Sequence, residues 1–188
     1  MEYAIRDIAL VARKLEKEGH KITYLNIGDP VQYGFQPPEN VKDAFINAVK
    51  KGQNYYATSE GLPELRSAIA QKEKAKGLSV SEDDIIVTNG VSEGLEMLMA
   101  SIVETGDEVL IPGPYYPPYS SYVRLFGGIP IEFSVDLSNS TPDLDDIKSK
   151  ITSKTVAICL ISPNNPTGAV FNEQSLRDLV SIAVEHDL

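Results

Sequence analysis

Apolar and polar residues follow two different periods along the chain, and these predict where helices and strands lie. In the first part the helical period dominates. It predicts helices over 2–18, 39–51 and 62–76, with a short extended piece over 23–27. In the third helix three apolar residues are predicted to lie in the core: Leu62, Leu65 and Ile69.

Strand and helix patterns alternate from residue 84 onward. The predicted strands are Asp84–Asn89, Glu108–Ile111, Ile129–Val135 and Thr155–Ile161. The predicted helices are Ser92–Val103, Pro117–Phe126, Asp143–Ile151 and Asn172–Glu185, the last with Asn172 as its N-cap. This alternation predicts an α/β fold with a mainly parallel sheet and helices on both of its faces.

The last predicted helix is apolar, and no strand follows it before Leu188. This is the pattern of a βα fold interrupted before its next strand. We therefore expect an open sheet edge and an exposed apolar helix face, which favour poor solubility or self-association.

Composition and charge exclude several classes of function. The chain has 188 residues, enough to bury a core, with 42% hydrophobic and 23% charged residues, as in soluble globular proteins. A net charge of −10 argues against nucleic acid and anionic membranes as partners. The charged N-terminus is no signal peptide, and no apolar run approaches the roughly 20 residues of a membrane span.

The single cysteine, Cys159, lies inside the apolar run VAICLI. One cysteine excludes a disulfide framework and a Cys-rich metal site, and it fits the reducing cytoplasm. We interpret Cys159 as a small buried hydrophobic residue. No pair of histidines or cysteines has the spacing of metal ligands.

A strand, a tight turn and a helix are predicted over 85–103, where an apolar run breaks at Asn89-Gly90. Gly90 can adopt the backbone conformation that such a turn needs, and the N–H groups of Val91 and Ser92 would lack helical partners. These N–H groups, the Ser92 hydroxyl and the helix dipole together suit a phosphate. The alternative is a plain β–α turn with Ser92 as the N-cap. The stretch is neither a dinucleotide fingerprint nor a Walker A loop.

Two further loops follow predicted strands, where open α/β sheets bind ligands. In the loop 162–168, two prolines restrict Asn165, whose amide could donate to a ligand oxygen. In the loop 112–119, prolines stiffen a stretch whose tyrosines offer a flat face for stacking. The alternatives are ordinary turn chemistry for the first loop and surface-packed tyrosines for the second.

The stretch 55–66 carries Tyr55 and Tyr56 just before a helix that begins with a proline. Two tyrosine hydroxyls could serve a ligand there. Arg66 is interpreted as a structural, ion-pairing arginine rather than a ligand-binding one.

Taken together, these stretches resemble the class I aminotransferases, which are pyridoxal-phosphate enzymes of fold type I. The motifs are, in chain order, Gly-x-Pro, Tyr-x-x-x-x-Gly-Leu-Pro-Glu-Leu-Arg, Thr-Asn-Gly-x-Ser-Glu, Pro-x-Pro-x-Tyr-Pro-x-Tyr and Asn-Asn-Pro-Thr-Gly. The resemblance covers the whole chain and is strongest to bacterial and archaeal alanine aminotransferases, through TNGVSE, TPDLDDIKSKIT and SPNNPTGAVF.

The resemblance implies a role for individual residues that bind pyridoxal 5'-phosphate. The amides of Val91 and Ser92, after Gly90, would hold the cofactor phosphate. Tyr116 would stack on the pyridine ring, and Asn165 would bind the phenolic oxygen of the ring.

Two further roles concern the substrate and the partner subunit. The backbone of Gly28 would meet the substrate carboxylate. Tyr56 would reach the cofactor phosphate of the neighbouring subunit, which implies a homodimer.

The resemblance also implies that residues 1–38 form an N-terminal arm and part of the small domain. Residues 39–188 would form the first part of the large cofactor-binding domain.

The activity expected of the whole protein is ping-pong transamination, with alanine and 2-oxoglutarate as the expected amino acid and 2-oxo acid. No lysine here matches the motif of the Schiff-base lysine, which is expected beyond Leu188, so the 188-residue chain is expected to be inactive. Two alternatives remain open. One is another fold type I enzyme, such as an aspartate or aromatic aminotransferase, a lyase or a synthase. The other is a non-catalytic domain that binds pyridoxal phosphate or a partner.

Overall fold

The computed structural model describes residues 4–25 and 28–188, with side chains described from residue 8 onward. The chain forms two compact units, Met1–Val87 and Thr88–Leu188. Small parts of two predicted elements, residues 2–3 and 26–27, lie outside the described residues. The predicted boundary at residue 38 concerns domains of the family and stays a prediction.

The first unit contains the three predicted helices. They are α1 (Ala4–Lys17), α2 (Glu39–Lys50) and α3 (Pro63–Lys74). Pro63 opens α3, where its missing N–H leaves no helical bond unmade. Two short 3₁₀ helices, Pro30–Tyr33 and Glu82–Asp84, were not predicted, because one turn of helix is too short to show a period.

Little of the first unit is buried. Leu62 and Leu65 are 47% and 45% exposed, so the prediction that they lie in the core is wrong. The second 3₁₀ helix, which is only three residues long, is the main neighbour of α3 among the described elements, so it covers little of the helix. Ala70, which is 4% exposed, is the buried hydrophobic residue of α3.

Arg66 ties α3 to the segment that follows the second 3₁₀ helix. Its guanidinium donates to the carbonyls of Glu82, at 2.7 and 3.0 Å, and of Ile85, at 3.0 Å. The Asp83 carboxylate lies 3.5 Å away and its side chain is 91% exposed. Arg66 is therefore structural, as predicted, but it bonds backbone carbonyls more closely than it pairs with a charge.

The second unit is built on a four-stranded sheet. Its strands are β1 (Glu108–Gly113), β2 (Ile129–Asp136), β3 (Thr141–Pro142) and β4 (Thr155–Ile158), in the spatial order β3-β2-β1-β4. β1 pairs in parallel with both β2 and β4, whereas β3 is antiparallel to β2. The sheet is thus mainly parallel, which confirms the predicted fold class.

Helices cover both faces of this sheet. They are α4 (Gly90–Ile102), α5 (Pro118–Leu125), α6 (Leu144–Lys150) and α7 (Glu173–Glu185). Successive residues of a strand point to opposite faces, so Leu110 and its neighbours Val109 and Ile111 enter different cores. One core joins Leu110 to residues of α6 and α7, and the other joins Val109 and Ile111 to residues of α4 and α5.

Two strand predictions are corrected. Residues 84–89 form no strand: Ile85 is extended, but among the described residues no strand pairs with this stretch, and Ile86 is 58% exposed. An apolar run becomes a strand only where a neighbour takes up its backbone hydrogen bonds. The strand predicted over 155–161 ends at Ile158, and its last residues enter the following loop.

The predicted helices of this unit agree with the structure to within one or two residues at each end. Asn172 caps α7 as predicted, since its side chain accepts a hydrogen bond from the Ser175 N–H at 2.9 Å. On α7, Val180 and Val184 remain 55% and 76% exposed, as expected for an apolar last helix. None of the helices in the described part of the chain is both long and apolar enough to cross a membrane.

Replacing Arg66 by alanine should lower the free energy of unfolding of the first unit by about 1–3 kcal/mol, because two backbone carbonyls lose their donor. Hydrogen exchange at the amides of Ile85 and Val87 would measure this change locally. In the matched control Asp83→Asn, the change should stay within about 0.5 kcal/mol, because the carboxylate is exposed and distant. An equal loss in both variants would show that the ion pair, not the carbonyl bonds, holds the segment.

Candidate functional site

The loops that follow β1 and β4 emerge at the same edge of the sheet, because the two strands are parallel neighbours. Their contact is direct: the side-chain Nδ2 of Asn164 donates to the Pro114 carbonyl at 2.9 Å. Stretches that are 50 residues apart in sequence are thereby joined at the carboxyl end of the sheet. This is the position at which open α/β sheets bind ligands.

A short connection leads from the end of α4 into β1. The chain turns back within residues 103–107, where the Glu104 N–H donates to the Asp107 carboxylate at 2.8 Å, and then enters β1. α4 consequently runs opposite to β1. Its first turn points toward the end of the sheet where β1 stops.

The turn that starts α4 depends on Gly90, whose φ of +81° is a conformation that other residues rarely adopt. Thr88 holds the turn from both sides. Its carbonyl accepts the Gly90 N–H at 2.9 Å, and its hydroxyl donates to the Gly90 carbonyl at 3.0 Å. The N-cap is Asn89, so the alternative that Ser92 is the N-cap is wrong: the left-handed glycine lets the helix begin three residues earlier than a cap at Ser92 would.

The first turn of α4 keeps the free donors that the sequence predicts. The Asn89 side chain makes no capping bond, and among the described residues no acceptor meets the N–H groups of Val91 and Ser92. Val91 is 72% exposed and Ser92 is exposed as well. The Glu93 carboxylate bonds the Asn89 N–H, one residue before the helix, and leaves the donors of Val91 and Ser92 open.

The tyrosines that follow β1 differ in their surroundings. Tyr115 and Tyr119 pack against the core between the sheet and helices α4 and α5. Tyr116 lies between them in the sequence and is half-buried, and its carbonyl accepts the Tyr119 N–H at 3.1 Å. The loop is therefore anchored by the two flanking tyrosines, and Tyr116 is carried between these anchors.

The loop after β4 has a buried base and an exposed tip. Asn164 is 4% exposed, and its main chain closes the tip by bonds of 2.8 Å to the Ala169 carbonyl and the Gly168 N–H. Asn165 lies in the tip and is exposed, and its side chain bonds no other described residue. Its amide is thus exposed to solvent, and its role toward a ligand stays a prediction.

Five of the predicted residues belong to the second unit: Gly90, Val91 and Ser92 at the start of α4, Tyr116 in the loop after β1 and Asn165 in the loop after β4. The hydrogen bond from Asn164 to Pro114 joins the two loops, and the roles of the five residues toward a cofactor stay predictions. Gly28 and Tyr56 belong to the first unit, and their roles stay predictions. Tyr56 is fully exposed, so its phenol is accessible, and a Cβ added at Gly28 would meet no atom within 4 Å.

No group of three or more histidine, cysteine or acidic side chains within residues 4–25 and 28–188 could hold a metal ion. Cys159, just beyond β4, packs against the core formed with α4 and α5. Burial raises the pKa of its thiol to about 11. It therefore fits the predicted small hydrophobic residue and is a poor nucleophile at neutral pH.

Comparison with known proteins identifies the family. Residues 20–188 match the family described as aminotransferase class I and II. The chain belongs to this family. The chain is 41% identical over 179 residues to the glutamate-pyruvate aminotransferase AlaA of Escherichia coli K12, covering 94% of this chain and 44% of that protein.

Solved structures of aminotransferases share its fold. An alanine aminotransferase from Pyrococcus furiosus is 50% identical with a TM-score of 0.95, covering all of this chain and 48% of that one. An aspartate aminotransferase mutant from Thermus thermophilus is 37% identical with a TM-score of 0.92, covering all of this chain and 49% of that one. This aminotransferase chain thus spans about half the length of the relatives it matches.

Two residues of the site were not singled out by the sequence. Asn164 precedes Asn165 and has the same side chain, so the motif alone did not tell which amide faces inward. A strand end followed by two successive amides is the only signal for it. Glu93 could have been found, because an acidic residue in the first turn of a helix often bonds backward to its N-terminus.

The Cys159 thiol should react with a thiol reagent such as DTNB about a hundredfold more slowly at pH 8 in the folded chain than in urea, since its pKa is raised from 9.0 to about 11. The unfolded state loses its thiol proton first, so stability should fall as the pH rises from about 9 to about 11. Stopped-flow labelling of native and urea-unfolded chain measures the ratio. Equal rates would show that the thiol is not buried.

Proposed function

We propose that this chain holds the phosphate and ring of pyridoxal 5'-phosphate in an aminotransferase that transfers the amino group of alanine to 2-oxoglutarate. The observation that carries the proposal is the hydrogen bond by which Asn164 joins the loops after β1 and β4 at the carboxyl end of the sheet. The open first turn of α4, which leads through a short connection into β1, supports it with free N–H donors. Family membership supports the choice of cofactor.

The first turn of α4 fits a phosphate. The N–H groups of Val91 and Ser92 have no acceptor among the described residues, and the positive end of a 13-residue helix dipole lies behind them. A Cβ added at Gly90 would meet no atom within 4 Å, so the space over the turn is open. The Ser92 hydroxyl, three positions into the helix, is placed to add a third donor.

The two loops fit an aromatic ring that carries oxygen. Tyr116 lies between anchored neighbours and can offer a flat face, while Asn165 presents a free amide at the tip of the facing loop. When bound, pyridoxal phosphate supplies an electron sink for the bonds at the α-carbon of an amino acid. The work of these residues is to anchor and orient it.

The substrates are assigned from the relatives. The matches named as alanine and glutamate-pyruvate aminotransferases support alanine and 2-oxoglutarate as donor and acceptor. The Thermus thermophilus neighbour, named as an aspartate aminotransferase, is the observation that favours the second candidate, transfer from aspartate. Gly28 would face the substrate carboxylate, and Tyr56 would serve the partner's site in a homodimer of the whole protein.

Pyridoxal phosphate should bind the 188-residue chain reversibly, and Ser92→Ala should weaken this binding by roughly tenfold or more, because one hydrogen bond to a charged phosphate is lost. Titration followed by the cofactor's absorbance measures the affinity. The matched control is Ser101→Ala in the same helix, where the hydroxyl donates to the Met97 carbonyl and not to the site. Pyridoxal without phosphate should bind more weakly than the phosphate ester. The absence of binding, or equal affinity for the two compounds, would contradict the phosphate site.

The 188-residue chain and the whole protein should differ in transaminase activity. The whole protein should convert alanine and 2-oxoglutarate to pyruvate and glutamate, while the 188-residue chain should not, because no lysine in it matches the family's cofactor-bound lysine. A coupled pyruvate assay with a panel of amino donors checks both, and sedimentation of the same preparation reports the dimer. A preference for aspartate would favour the second candidate, and robust turnover by the chain alone would contradict the role of the lysine.

A further inference from the structure

The geometry points to Asn164 as a positioning residue of this site: its buried amide fixes the loop that bears Tyr116 against the loop that bears Asn165. The side chain reaches across from one loop to the other, with Nδ2 2.9 Å from the Pro114 carbonyl. Pro114 lies two residues before Tyr116, and Asn164 lies next to Asn165. One hydrogen bond therefore sets the spacing between the two residues proposed to hold the ring.

The orientation of the Asn164 amide follows from its surroundings. The Nδ2 group faces a carbonyl oxygen, so the flipped amide would set two acceptors against each other. The Oδ1 atom is buried and accepts no hydrogen bond from any described residue. A buried acceptor without a partner costs free energy, so the only hydrogen bond of this side chain to a described residue is the one that Nδ2 donates to the Pro114 carbonyl.

The main chain of Asn164 makes the connection stiff. Its N–H and carbonyl both bond across the base of the loop, to Ala169 and Gly168 at 2.8 Å. The side chain is 4% exposed, so its rotamer is fixed by packing as well. A shift of the Asn165 tip therefore moves the base of the loop and, through Nδ2, the loop after β1.

The consequence for ligand recognition rests on the proposed function. Ring binding depends on the distance between two loops, and preorganisation of that distance raises affinity. The phosphate donors Val91 and Ser92 are main-chain groups of α4, which the helix itself holds in place. Loss of the Asn164 bond should thus weaken recognition of the ring and spare recognition of the phosphate.

The first test needs no ligand. In the unsubstituted chain, the side-chain amide protons of Asn164 should exchange with solvent roughly tenfold or more slowly than those of the exposed Asn165, its internal control. In Asn164→Ala, protection should fall roughly tenfold at the Tyr119 amide, which lies at the start of α5 and bonds the Tyr116 carbonyl of the other loop, as well as at Gly168. The control Asn172→Ala should affect Ser175 at the start of α7 and leave Tyr119 unchanged.

The variant Asn164→Asp keeps the size of the side chain and tests the donor alone. At neutral pH its carboxylate cannot donate to the Pro114 carbonyl, and protection at Tyr119 should be lost. At acidic pH the buried carboxyl takes up a proton and can donate, so protection relative to the unsubstituted chain should recover. The alanine variant should not recover. Loss confined to the loop 162–169, or a pH profile identical to that of alanine, would overturn the inference.

The second test adds ligands. Both Asn164 variants should bind pyridoxal phosphate roughly tenfold more weakly at pH 7 and bind inorganic phosphate with unchanged affinity. Asn172→Asp, which keeps its capping acceptor, is the matched control. Unchanged pyridoxal phosphate affinity would overturn the positioning role. If the unsubstituted chain binds no pyridoxal phosphate, the proposed function fails, and the exchange data alone decide whether Asn164 joins the loops.

Discussion

Burial of β1 on both faces is the constraint on which the second unit depends. Val109, Leu110 and Ile111 have no exposed surface, and each turns toward a different core from its neighbour in the sequence. A strand in this position must have a neighbour on each side, or its backbone groups would be buried without partners. The parallel pairing with β2 and β4 satisfies them. It also sends the loops after β1 and β4 to one edge, which is why a site can form there.

The proposed site combines main-chain groups at the start of α4 with side chains on the loops after β1 and β4. In the proposed site, the first turn of α4 would bind the phosphate with main-chain N–H groups. Its geometry depends on Gly90, which tolerates the left-handed turn, and on the hydroxyl of Thr88, which holds that turn. The two loops instead use side chains whose positions depend on one another through Asn164. A helix end can bind many anions, so in the proposed site the specificity for the aromatic ring would come from the two loops.

Periodicity predicted the elements of this fold well because each helix and most strands satisfy their own local rules. Where it failed, the missing information was a neighbour. Leu62 and Leu65 are apolar at helical spacing, but no period tells whether another element covers them, and both are exposed. The run 84–89 has strand composition and lacks a pairing strand among the described residues. β3 is two residues long and carries no period at all.

The turn and loops of the candidate site could be predicted because turn chemistry is local. The contacts between the loops could not. The pair Asn89-Gly90 predicts a turn, and the prolines around Asn165 predict a stiff loop. The turn and the loop could therefore both be located from the sequence. Asn164 is the buried one of the two adjacent asparagines because its amide meets the Pro114 carbonyl, 50 residues away in the sequence. Local sequence rules cannot predict such a distant contact. Each motif taken singly has an ordinary structural explanation. Parallel strands bring successive loops to the same end of the sheet. Motifs that are weak when taken singly therefore predict one site when they occur in this order.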